Sequence, residues 1–201
     1  MSAKVRLAIF ASGTGSNYQA IDQAIKTGEL DAEIVLLVSD QPGAKVIEKA
    51  AQNQLATFVF NAKDYQTKQA FETEIVSELQ AHQVDWIVLA GFMRLIGPTL
   101  LKPYQRRIIN IHPSILPAFP GLDAVGQALD AKVKITGTTI HYVDSGMDTG
   151  EIIAQEPVRV KPGMTREELQ TAIQKIEHEL YPKTIQQLTS KGDSFCKREH
   201  Y

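Results

Sequence analysis

An alternation constrains this chain most: short apolar runs take turns with segments whose apolar residues recur at helical spacing. Val5–Ala11 is a nearly continuous apolar run of the kind that fills a strand buried on both faces. Ser12–Asn17 (Ser-Gly-Thr-Gly-Ser-Asn) breaks it with residues that accept unusual backbone angles and supply caps. Ala20, Ile21, Ala24 and Ile25 then recur at helical spacing, and Gly28 is placed to end that helix. Glu33–Ser39, Ala56–Phe60, Val84–Ala90 and Arg107–Ile111 read as further strands, with helices over Gly43–Gln54 and Tyr65–His82. Thr138–Val143 and Ile152–Val160 read as later strands joined by a turn containing Gly146, Asp148 and Gly150. Thr165–Leu188 closes the pattern as a long helix, with Thr165 and Glu168 spaced as a capping box. This order predicts an α/β layered fold: a mostly parallel central sheet with helices on both faces. No repeat or linker interrupts it, so one domain over residues 1–201 is expected, with the pattern-free 191–201 as a loose tail.

Charge and cysteine content narrow the function. Twenty-one basic against 23 acidic residues leave a formal charge of −2, which argues against nucleic-acid recognition by a global basic field. The single cysteine, Cys196, excludes an internal disulfide framework and a Cys-based zinc site, and suits a reducing compartment. No apolar run approaches about 18 residues and no cleavable apolar leader precedes Val5, so the expectation is a cytoplasmic protein with no membrane partner.

The Gly-rich turn from the first strand into a helix is an anion site by backbone physics, because free N–H groups and the positive end of the helix dipole meet there. Ser16 and Asn17 add side-chain donors to the same spot. Gly13, Gly15 and the strand-ending Asp40 resemble parts of a dinucleotide fingerprint, but Tyr18 stands where its third glycine is needed. No Lys-Ser/Thr pair follows, so an ATP-type loop is excluded. A single phosphate fits best, and a capped turn without ligand is the plain alternative.

Asn110 and His112 sit at i and i+2 on a strand end, so both side chains leave one face. Pro113, Pro117 and Pro120 then force His112–Gly121 out of the sheet as a stiff loop. Asp148, in the Gly-rich turn after the strand bearing His141, can return a carboxylate to the same edge. An amide, an imidazole and a carboxylate in one cavity suit acyl-type transfer: the first two stabilise an oxyanion and the carboxylate orients the ring. The alternatives are a turn cap for Asn110, a strand-end role for His112 and turn satisfaction for Asp148. His112, His141 and Asp148 match no metal-ligand spacing, so no metal is expected.

Four segments together carry a family resemblance: Ala11–Asn17, Leu89–Arg94 (Leu-Ala-Gly-Phe-Met-Arg), Asn110–Pro117 (Asn-Ile-His-Pro-Ser-Ile-Leu-Pro) and Asp144–Gly150 (Asp-Ser-Gly-Met-Asp-Thr-Gly). In this order, over roughly residues 4–190, they resemble the phosphoribosylglycinamide formyltransferases of the folate-dependent formyltransferase superfamily. The resemblance implies a Rossmann-like formyltransferase fold, glycinamide ribonucleotide as acceptor and 10-formyltetrahydrofolate as co-substrate in purine synthesis. It implies that Gly15, Ser16 and Asn17 hold the substrate phosphate, and that Gln174 and Glu177 meet its ribose and glycinamide parts. Met93, Arg94, Leu95 and Ile96 would form one wall of the folate pocket, and Val143 and Asp144 the other. Asn110, His112 and Asp148 would be catalytic. Lys68 stands where some members carry Arg, so a folate carboxylate would meet a point charge there. The Leu122–Gly126 stretch lacks the histidines some members have. The resemblance implies a monomer or weak homodimer. Rival readings are formyl transfer to another amine, on a sugar nucleotide or a tRNA, and a nucleotide-binding module without chemistry. The chain's length and slight acidity argue against the second, basic domain that a tRNA acceptor is expected to need.

Overall fold

The computed structural model describes residues 4–190; the expected tail and Cys196 lie outside them. Six strands of the reading recur within about two residues: β1 (Val5–Phe10), β2 (Ala32–Ser39), β3 (Thr57–Val59), β4 (Trp86–Leu89), β5 (Ile108–His112) and β7 (Ile152–Arg159). The remaining strand, β6, begins earlier than the apolar run suggests, over Ile135–Tyr142. The helices are α1 (Ser16–Thr27), α2 (Lys45–Gln52), α3 (Lys68–Ala81), α4 (Pro98–Leu101), α5 (Ala124–Asp130) and α6 (Arg166–Ser190).

Local chemistry sets the helix ends. Gly28 terminates α1 in the left-handed conformation at φ 80°. Thr67 caps α3 by accepting the Ala70 N–H, so the helix starts three residues after Tyr65, behind a 3₁₀ turn over Ala62–Asp64. The capping box at α6 forms as read: Glu168 Oε2 accepts the Thr165 N–H at 2.8 Å and Thr165 Oγ1 the Glu168 N–H at 3.2 Å. Two short helices add to those read from the sequence: Pro98 opens α4, and α5 follows the Pro-rich loop, started by the Asp123 carboxylate accepting the Gly126 N–H.

The seven strands lie in the order β3-β2-β1-β4-β5-β6-β7, parallel from β3 to β5 and antiparallel across β5–β6 and β6–β7. Both sheet faces are covered. Leu7 and Ile9 of β1 pack with Tyr18 and Ile21 of α1, Val46 of α2 and Tyr181 of α6. Ala8 and Phe10 pack on the other side with Phe71, Ile75 and Leu79 of α3 and Leu100 of α4. That is the period-2 alternation of a strand buried on both sides. The chain leaves β1 toward β2 and returns to β4 on its other flank, so the loops after β1 and β4 part from each other. This switch point is where an open α/β sheet places its ligand cavity.

Candidate active site

The cavity at that point is about 450 Å³, bounded by the loops after β1, β4, β5 and β6 and by one face of α6. Gly15, Ser16, Asn17, Met93, Arg94, Leu95, Ile96, Asn110, His112, Val143, Asp144, Asp148, Gln174 and Glu177 all line it. Lys68 does not. It lines an adjoining cavity of about 610 Å³ that shares Met93, Arg94 and Leu95 with the first.

Gly15 is the N-cap of α1 at φ 73°, a conformation that favours glycine, and a Cβ there would meet Val46 Cγ2 at 2.5 Å. The loop is tied back from behind by α2: Val46 N–H donates to Gly13 O at 3.2 Å and Lys49 Nζ to Thr14 O at 2.6 Å. The first-turn N–H groups of α1 have no partner within the helix, and Gly15, Ser16 and Asn17 line the cavity. Tyr18 is buried where a dinucleotide loop would need glycine, its hydroxyl accepting from Asn53 Nδ2 at 2.9 Å. Asn17 Nδ2 donates to Glu177 Oε2 at 3.0 Å, joining α1 to α6. Burial drives the Glu177 carboxyl above its ordinary 4.5, against hydrogen bonding from Asn17 and Thr138.

The opposite side of the cavity is held by side chains of β6 and β7. Thr139 Oγ1 donates to Ser114 O at 2.7 Å and accepts the Leu116 N–H at 3.0 Å, and Gln155 Nε2 donates to Leu116 O at 2.8 Å. The Leu116–Pro117 bond is cis. The loop places the Phe119 carbonyl 2.8 Å from His112 Nε2 and the Gly121 N–H 2.8 Å from Asp148 Oδ2.

Asn110, His112 and Asp148 converge. His112 Nδ1 lies 3.3 Å from Asp148 Oδ2, and Asn110 Nδ2 lies 3.4 Å from Asp148 Oδ1. His112 faces an acceptor at each ring nitrogen, and both are satisfied only when both nitrogens carry hydrogen. His141 completes the group, and the sequence reading did not place it among the site residues. It stands opposite Asn110 in the β5–β6 register, 3.1 Å from Asn110 Nδ2 and 3.5 Å from Asp148 Oδ1. His141 Nδ1 donates to Tyr142 O at 2.8 Å, which directs Nε2 at Asn110 and Asp148. Burial of Asp148 acts to raise its pKa. Hydrogen bonds from His141 and the Gly121 N–H, with the charges of His112 and His141, outweigh that and bring it below 3.8. Asp148 sits at φ 56°, in a turn organised by Asp144, whose Oδ1 accepts from Gly146 N–H and Thr149 Oγ1. Among the described residues, no group of three or more His, Cys, Asp or Glu is placed to hold a metal ion.

An amide, two imidazoles and an ionised carboxylate meet beside the Gly-rich loop, an arrangement that suits acyl-type transfer, and the chain matches the Formyl transferase family over residues 5–185. It belongs to that family. A phosphoribosylglycinamide formyltransferase of Bacillus subtilis (strain 168) is 53% identical over 183 residues, covering 91% of this chain and 94% of that protein. The crystal structure of a phosphoribosylglycinamide formyltransferase from Bacillus halodurans superposes with a TM-score of 0.90 at 55% identity, over 92% of this chain and 96% of the other. A glycinamide ribonucleotide transformylase 1 from Geobacillus kaustophilus gives 0.90 at 58% identity, over 92% and 99%. This formyl transferase therefore has the mostly parallel α/β sheet the strand pattern implied and the Rossmann-like fold the resemblance implied.

Proposed function

We propose that this chain transfers the formyl group of 10-formyltetrahydrofolate to the amine of glycinamide ribonucleotide, in purine synthesis. The observation that carries the reading is the meeting of Asn110, His112 and Asp148 in one cavity, between the phosphate-type loop at Gly15–Asn17 and the apolar wall at Met93–Ile96. The names of the relatives at 53–58% identity support formyl transfer to the same acceptor.

The substrate phosphate sits on the N–H groups of Gly15, Ser16 and Asn17, with Gln174 and Glu177 along the ribose and glycinamide. The folate lies between Met93–Ile96 and Val143–Asp144, and Lys68 in the adjoining cavity offers a charge to a carboxylate tail. The acceptor amine attacks the formyl carbon, a C–N bond forms, and the formyl oxygen takes negative charge. Asn110 Nδ2 donates to it: its bond to Asp148, at 3.4 Å, is long and is one a stronger acceptor replaces. His112 supplies positive charge, and its Nε2–H reaches the oxyanion by leaving the Phe119 carbonyl. Asp148 orients His112 and, through a water, relays the proton the amine loses to the folate nitrogen, as the bond from the formyl carbon to that nitrogen breaks and the formyl C=O re-forms. The reading includes one catalytic domain, a cytoplasmic setting, and a monomer or weak homodimer; among the described residues no helix is long and apolar enough to cross a membrane.

The test is to follow the deformylated folate spectroscopically, with and without glycinamide ribonucleotide. Release only with the ribonucleotide is expected; release without it identifies a hydrolase, and no release with either overturns the reading.

Glu177 gives a second test. Its folded pKa lies above 4.5, so its contribution to stability is full below the unfolded value and is lost as pH rises through the folded one. Glu177→Gln should therefore melt at or above the wild-type temperature at pH 7, with the gap closing below about pH 4.5. The KM for the ribonucleotide should rise about tenfold, the value of one hydrogen bond between a charged group and its partner. A variant less stable at pH 7 than at pH 4, relative to wild type, would contradict the burial argument.

A further inference from the structure

Asp40 closes β2 at the position where a dinucleotide-binding domain spends an acid on ribose hydroxyls. Here neither oxygen is available for that. Oδ1 accepts the Ser12 hydroxyl at 2.5 Å, and Oδ2 accepts Arg94 Nε at 2.9 Å and Gln41 Nε2 at 3.3 Å. The Asp40 side chain is 2% exposed. Ser12 Oγ in turn accepts the Met93 N–H at 3.0 Å, and the Ser12 N–H donates to Gly91 O at 3.0 Å. The segment after β4 is also pinned at its far end, where buried Glu72 of α3 accepts the Gly97 N–H at 2.6 Å. Between the two pins stand Met93 and Leu95, 66% and 49% exposed, which the rest of the protein does not hold by burial. Arg94 bridges Asp40 to the Phe71 ring, its guanidinium 5.8 Å from the centroid.

We propose that Asp40 is a positioning residue for the folate wall, fixing Arg94 directly and the Met93 backbone through Ser12, so that the wall is formed before folate arrives. The proposal rests on the folate reading of this cavity. It assigns Asp40 to the folate half of the reaction, although Ser12 stands at the start of the phosphate loop. A preformed wall spares the ligand the ordering of an exposed segment, and this appears as affinity.

An asparagine at position 40 keeps the shape but has one acceptor oxygen. It cannot accept from both Ser12 and Arg94: turned to Arg94 it leaves Ser12 Oγ without an acceptor for its hydroxyl and its NH₂ donating to that oxygen, turned to Ser12 it sets its NH₂ against the guanidinium, and either way the charge opposite Arg94 is lost. Asp40→Asn should raise the KM for 10-formyltetrahydrofolate about tenfold, the weight of one charge-assisted hydrogen bond. kcat should stay within about threefold and the KM for the ribonucleotide within about twofold. Ser12→Ala keeps the ion pair and removes the Met93 contact, so the same KM should rise about threefold. It also carries the test if Asp40→Asn is insoluble. The double variant should cost less than the product of the two, since both act through one node. Wild-type folate KM in both variants, or a parallel rise of both KM values with a lower Tm, overturns the proposal while wild-type turnover still supports the function. A wild-type protein that neither binds nor consumes the folate overturns both.

Discussion

Asp148→Asn is expected to lower kcat by about 10²–10³-fold with an unchanged far-UV circular dichroism spectrum. The carboxylate has four neighbours, the Gly121 N–H, the Asn110 amide and the two imidazoles, and all are donors when the histidines face it with N–H groups. An amide at 148 turns an NH₂ toward one of these donors, loosens the His112 ring and removes the negative charge opposite it. The same variant has a pH signature in stability. The folded pKa of Asp148 lies below 3.8, so its charge stabilises the fold at neutral pH and that contribution is lost only as pH falls through the folded value. Wild type should therefore melt above the variant at neutral pH, by a margin that closes below about pH 3.8. Full turnover in Asp148→Asn would remove this residue from the chemistry.

Gly150→Ala should damage the same centre without touching a functional group. A Cβ at Gly150 would lie 1.7 Å from Tyr142 O and 2.8 Å from Tyr142 C, both backbone atoms that cannot swing away. That carbonyl also accepts from His141 Nδ1. The turn must lift off β6, carrying Asp148 with it and disturbing His141. Overpacking of this kind costs about 1–3 kcal/mol of stability. A misplacement near 1 Å at the reacting groups costs about 10²-fold in kcat. The control is Gly43→Ala, where nothing lies within 4 Å and φ is not positive, so both quantities should stay at wild type. Equal behaviour of the two alanine variants would show that the turn position is not set by this contact.

The parts legible in the sequence are those decided by local rules. Apolar runs mark β1, β4 and β5, Gly28 marks the end of α1, and Thr165 with Glu168 marks the start of α6. Asn110 and His112 share a face because strand geometry dictates it. What stayed hidden depends on distant partners. Helix α5 has only seven residues, with Gly126 inside and a cap residue at φ 56°. It is held by Val125 packing with Val158, Leu169 and Ile173, far along the chain. The place of His141 follows from an antiparallel register that pairs it with Asn110 across 31 residues. Lys49 reaches the phosphate loop from α2, and no motif spacing announces that contact. Asp40 was visible as a strand-ending acid, but its use by Arg94 depends on where the loop after β4 returns.

The bond between Asn17 and Glu177, 160 residues apart, has a consequence for how the molecule is made. Helix α6 supplies Tyr181 and Ile185 to the face of the sheet that β1 and α1 share. A nascent chain emerging from the ribosome therefore shows an uncovered apolar face through most of its synthesis, and closes it only when the last helix arrives. Activity and protection against aggregation should appear together, late and abruptly. Ribosome-stalled chains lacking α6 should be retained by chaperones, where chains extended beyond Ser190 are released.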